Sequence, residues 1–155
     1  MRANMSTLLG SGLGLTLLVV CTLSLSAQGG GRGGPPPLST ALFDQWTPDQ
    51  LSKPGNLGNY GNHAASVQRR DVGAAPEIHD GFSHILMFTS GEGTFILGGE
   101  IVDGPDGKKM IRAGETHKIA PGVVWHIPMK VAHQVVPNPG SSVTYFVTNI
   151  NVDKP

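Results

Sequence analysis

Turn chemistry recurs along the second half of this chain at short, regular intervals, and that spacing constrains the fold more than any other feature. Ser90-Gly91-Glu92-Gly93, Asp103-Gly104-Pro105-Asp106-Gly107, Ala120-Pro121-Gly122 and Pro137-Asn138-Pro139-Gly140 concentrate the residues whose backbone preferences turns need. Between and beside them lie runs rich in Val, Ile, Thr and aromatics, at 83–89, 94–102, 108–112, 116–119, 123–127, 132–136 and 143–150. Such runs read as strands, and their even punctuation predicts an all-β sandwich or barrel. No stretch has helical periodicity long enough for a crossover helix, which argues against a parallel α/β sheet. The 22 glycines and 12 prolines fall as punctuation in the same way.

The chain ahead of these strands has a different character. Arg2, an apolar run over 8–25 and the small residues Ser24, Ser26 and Ala27 follow the order of a secretory signal, cut after Ser26 or Ala27. The competing expectation is an uncleaved membrane anchor, since about 18 to 20 apolar residues can span a bilayer. Gly10, Gly12 and Gly14 weaken the span and favour export to the periplasm or outside. The single cysteine, Cys21, lies inside this run, with the bulky Val20 before it where a lipid-attachment site wants a small residue. A cleaved chain therefore has no thiol and no disulfide. Residues 1–27 are assigned as the signal, 28–40 as a Gly/Pro-rich flexible linker, and 41–155 as one domain. Thr47-Pro48-Asp49-Gln50 offers a helix N-cap with Pro at the first helical position, so a short turn of helix is predicted before Pro54-Gly55. Phe43, Trp46 and Leu51 are its expected contacts with the barrel.

Eleven basic and eleven acidic residues balance, with no dense Lys/Arg run, which gives no electrostatic footprint for nucleic acid or anionic lipid. The chemistry instead concentrates in Glu77, His79, His84 and His133, residue types that bind metals, at spacings a closed sheet can bring together. On a strand Glu77 and His79 share a face, with Cα atoms about 6.5 Å apart. His84 has the opposite parity to His79, but Asp80-Gly81 is a kink signal that returns it to the interior, after which Leu86 and Phe88 alternate inward. A lone strand histidine is more often a packed or surface residue than a ligand. Phe88, Phe95, Trp125 and Tyr145 read most simply as core; Phe88, Trp125, Tyr145 and His126 are the candidates for lining a pocket, and His63 and His117 read as structural or solvent-facing.

Spacing and residue type together resemble the two motifs of the cupin superfamily. Glu77-x-His79, four residues, His84, six residues and Gly91 match the first motif, with the acid and one histidine exchanged. Gly122, Pro128, Lys130 and His133 match the second, with Lys130 in place of a glycine and Pro137 in place of an asparagine. The resemblance covers 75–136 and implies a cupin-type jelly-roll, or double-stranded β-helix, barrel. It also implies one metal ion held by Glu77, His79, His84 and His133, and pairing of barrels into homodimers through their sheets. Three imidazoles and one carboxylate suit Mn, Fe, Ni, Cu or Zn, and the missing thiolate removes the case for a structural zinc site. A glycine at the Lys130 position often serves a positive φ, so the loop before His133 is expected to depart from the usual one.

The implied activities are those of dioxygenases, isomerases, decarboxylases and lyases on small oxygen-rich molecules. A non-catalytic binder of metal or small molecules is the second reading, and an interaction domain with a vestigial site the third. A serine-hydrolase scheme has no Gly-x-Ser-x-Gly elbow to rest on.

Overall fold

The computed structural model describes residues 36–153; the signal assignment and most of the linker assignment lie outside them. Among the described residues ten antiparallel strands follow one short helix. α1 (Pro48–Leu51) is fixed by a reciprocal cap, in which Gln50 N–H donates to Thr47 Oγ1 at 3.3 Å and Thr47 N–H donates to Gln50 Oε1 at 2.9 Å. Of its expected contacts, Trp46 packs its ring 5.4 Å from Phe146, whereas Phe43 is 84% exposed.

Strands β1 (Gly55–Asn59), β2 (His63–Arg70), β3 (Phe82–Ser90), β8 (Val124–Ile127) and β10 (Val143–Asn151) make a five-stranded sheet in the order β1-β2-β10-β3-β8. β4 (Gly93–Leu97), β7 (Glu115–Lys118) and β9 (His133–Pro137) make a three-stranded sheet in the order β7-β4-β9, and β5 (Glu100–Asp103) pairs with β6 (Lys109–Arg112). The run expected as one strand over 94–102 is two, because Gly98 and Gly99 both take φ of 71°. At Gly99 the backbone passes so close to the Arg112 carbonyl that a Cβ would overlap it. β1 and β2 add two strands to those expected from the turn pattern.

The two larger sheets face one another as a jelly-roll barrel. Phe88, from the first sheet, meets Phe95, from the second, edge-on at 5.4 Å, and Tyr145 and Trp125 extend the aromatic contact at 5.8 and 5.6 Å. Phe88, Phe95, Ile127 and Val143 are fully buried there, each full burial worth roughly 1.5–3 kcal/mol. Register sets parity throughout: β3 aligns Leu86 with Val147 of β10 and with Trp125 of β8, so all three point inward. Gly91 turns β3 into β4 with φ of 97°, pressed against the Ser142 carbonyl, and no side chain fits between them.

Candidate metal centre

His84 opens the inward series of β3 at the barrel mouth, opposite Asn149 of β10. His133 opens β9 in the facing sheet, opposite Leu97 of β4. The segment between β2 and β3 closes the gap between the sheets. Glu77 exchanges two backbone hydrogen bonds with His133, both of 2.9 Å, as a single bridge on the edge of β9. Glu77 and His79 are thus held by this bridge rather than by the strand expected for them. The kink at Asp80-Gly81 then leads into β3 and aims His84 at the same point.

Three imidazoles meet there. One ring nitrogen from each of His79, His84 and His133 lies within 4.8 Å of the others, and their ring centres are 4.9 to 5.2 Å apart. His84 Nδ1–H faces Asn149 Oδ1 at 2.9 Å, and His133 Nδ1–H faces the Val131 carbonyl at 3.1 Å. Those acceptors assign the proton to Nδ1 and leave the Nε2 lone pairs for the centre of the cluster, the arrangement that metal-binding histidines use. Burial, and then repulsion from a charged His133 or His79, pushes His84 down to about 4. Burial also lowers His133, against the Val131 carbonyl, which raises it. Both rings are therefore neutral near pH 7, as a ligand must be.

Glu77 stands beside the cluster, with Oε2 3.6 Å from His79 Nε2 and 3.9 Å from His133 Nε2. Its other oxygen faces Arg70 Nη2 at 3.8 Å. Among the described residues the buried side-chain polar atoms without a hydrogen-bond partner are His79 Nε2, His84 Nε2 and Arg70 Nε. All three belong to residues lining one cavity of about 200 Å³. Buried polar atoms are normally paired, so two orphaned imidazole nitrogens facing one another fit an ion between them. The three imidazoles could hold a metal.

Tyr145 lines the same cavity, but the other three pocket candidates do not. Phe88 lies one position too deep and is wholly within the core. Trp125 points inward but is taken up by His117 and Phe95, at 4.6 and 5.6 Å. His126 falls between Trp125 and Ile127 on β8, so its parity sends it outward to solvent. Gln68 and Arg70 of β2 are lining residues that sequence reasoning missed. The signal was the polar series Ser66, Gln68, Arg70 at period two, three side chains on one face of a strand.

Lys130 takes φ of 61°, the conformation a glycine at that motif position would supply. Its N–H donates to the His79 carbonyl at 2.8 Å. The left-handed turn at Lys130 costs about 1 kcal/mol, and its hydrogen bond ties the His133 loop to the His79 segment.

No family model and no curated protein matches the sequence. Solved structures share its architecture. A protein of Bacillus halodurans superposes with a TM-score of 0.56 at 15% identity, over 75% of this chain and 86% of that one. A cupin 2 conserved barrel domain protein from Rhodopseudomonas palustris gives 0.48 at 17% identity, over 64% of this chain and 60% of its own. A cupin-2 domain protein from Rhodospirillum rubrum gives 0.47 at 18%, over 64% and 59%. The matched region spans less than two thirds of either cupin-2 protein, and at such identities the likeness is one of fold. With two antiparallel sheets closed over one core and three histidines gathered at its mouth, the chain has a jelly-roll barrel fold, the architecture that the sequence resemblance implied.

Proposed function

We propose that the chain is an exported protein holding one divalent transition-metal ion through His79, His84 and His133, with Glu77 completing the set. It acts on a small oxygen-rich molecule in the manner of a dioxygenase, isomerase or lyase. The observation that carries this reading is the meeting of three imidazole nitrogens within 4.8 Å, two of them buried and unpaired among the described residues. Mn, Fe, Ni, Cu and Zn all suit such a donor set. A bound divalent ion would supply Lewis acidity for a carbonyl or enolate, or would acidify a water. The protein's part is orientation. Asn149 and the Val131 carbonyl fix two rings through Nδ1, Phe82 stacks on His79 at 4.3 Å, and Glu77 Oε2 is placed to ligate or to take a proton.

A second reading, a non-catalytic binder of metal or small molecules, is favoured by one feature of the lining. Glu77 is the one carboxylate among the described residues around the cavity, so if it ligates, no carboxylate base remains. Export rests on the sequence of residues 1–27 and places the mature N-terminus near Gln28, which the intact mass of the secreted chain would reveal.

Metal content and turnover test the reading together. The purified wild type is expected to carry one ion per chain, and His133→Ala to bind at least about 100-fold more weakly. A metal-free wild type whose melting temperature ignores added ions would reject the metal-dependent enzyme and the metal binder alike. Activity on a screened substrate that survives His133→Ala would leave binding but remove metal catalysis.

A further inference from the structure

We infer that the cavity beside the histidines is a binding site for a small carboxylate, anchored by Arg70. Arg70 is the last residue of β2, and it lines the cavity with its side chain 30% exposed. Nε is buried with no hydrogen-bond partner among the described residues. Nη2 stands 3.8 Å from Glu77 Oε1, beyond hydrogen-bond length. The Arg70 Cζ lies over the Tyr145 ring at 6.0 Å from its centre, a contact that consumes no donor. A structural ion pair would close on Glu77 and would not strand Nε. A buried donor of a charged group is costly to leave unmade, and a carboxylate satisfies it, since its two oxygens match the guanidinium fork.

Charge and size narrow the ligand. The three imidazoles contribute no charge when neutral, and Glu77 supplies one negative charge, which Arg70 alone balances. A divalent ion would leave the cavity positive and selective for anions. A cavity of about 200 Å³ suits a small molecule. Glu77 marks the reach required, because one of its oxygens faces Arg70 and the other faces His79 and His133. A ligand of similar span binds one carboxylate at Arg70 and turns a second oxygen function toward the histidines, as α-keto, α-hydroxy and dicarboxylic acids can. The inference rests on the proposed metal reading for that second contact, and Arg70 supplies the first without it.

Malonate and its neutral diamide, malonamide, are suitable probes, titrated by amide NMR shifts into the metal-free and the zinc-loaded protein. Malonate is expected to bind at least tenfold more tightly than malonamide, and Arg70→Gln to remove that preference in both forms while zinc still binds. Equal binding of the two probes by the wild type, or a malonate affinity unchanged in Arg70→Gln, overturns the inference and leaves the metal reading intact. Loss of zinc binding in the wild type sinks the metal reading instead, and the metal-free titration still decides for Arg70. Should Arg70→Gln not fold, phenylglyoxal labelling of the wild type decides the same question. Malonate is expected to slow modification of Arg70 severalfold but not that of Arg69, which is half exposed beside Asp71. Equal slowing at both, or at neither, overturns the assignment.

Discussion

Along β3 the inward positions run His84, Leu86, Phe88, and along β10 they run Asn149, Val147, Tyr145, Val143, so each strand passes from polar at the barrel mouth to apolar at its buried end. β9 repeats the gradient with His133 and Val135. The two ends share backbone and hydrogen-bond ladders but differ in how their polar atoms are satisfied. At the buried end aromatic edges meet aromatic faces, and burial is favourable for every group. At the mouth burial has been imposed on two imidazole Nε2 atoms and on Arg70 Nε, none of which has a hydrogen-bond partner among the described residues. Stability is concentrated at one end and chemical potential at the other.

The comparison breaks most directly at Phe95. Phe95→Ala deletes a fully buried ring that contacts both Phe88 and Trp125, and is expected to cost about 3–5 kcal/mol in urea unfolding. The folded fraction should retain its metal affinity, because no ligand side chain rests on that ring. A cost below about 1 kcal/mol would mean that the apolar end does not dominate stability.

The mouth gives a smaller effect with a different signature, a slope in pH. His84 titrates at about 4 in the folded chain, below the ordinary histidine value of 6.5, so between those values the unfolded chain binds more protons than the folded one. Stability of the metal-free protein is therefore full above about pH 6.5 and falls as pH drops toward 4, by on the order of 3 kcal/mol from this group. His133, lowered as well, acts in the same direction. His84→Gln is expected to flatten the curve, whereas Phe95→Ala should lower it in parallel. Identical pH slopes for wild type and His84→Gln, measured by denaturant midpoints from pH 4 to 7, would show that the imidazole is not held neutral by its surroundings.

The same contrast explains what could be read from the sequence. The buried end follows the simplest rule, apolar residues inward at period two between turn residues, and the strands from β3 onward were legible by it, except that β4 and β5 read as one. β2 inverts the rule. Ala65 and Val67 are buried on the outer face of the sheet, on the side where Val67 aligns with Phe146 and Phe146 meets Trp46, while Ser66, Gln68 and Arg70 face the cavity. A reading that sends apolar residues inward places Arg70 in solvent. Glu77 and His79 were legible as partners of the histidines through spacing, but not as an edge bridge on β9, because nothing local specifies a single pair of backbone hydrogen bonds. His126 failed by parity alone: the register of β8 against β3 is a tertiary fact.

Lys130 is the smallest lever and the one that tests whether strain also belongs to the mouth. Its φ of 61° is unfavourable for a side chain bearing a Cβ, and the N–H it presents there holds the His79 carbonyl. Lys130→Gly relieves the strain in the folded state and adds freedom to the unfolded chain, two opposing effects of similar size. The expected net is a gain of up to about 1 kcal/mol, a rise of a few degrees in melting temperature, with the hydrogen bond to His79 retained. Ala113 offers a matched control, since it also has positive φ, at 57°, in the turn between β6 and β7 rather than beside a histidine. Ala113→Gly should give a comparable gain and leave metal affinity untouched. A loss of stability in Lys130→Gly alone would mean that the lysine side chain stabilises the loop, and that the left-handed turn here is supported by more than its backbone.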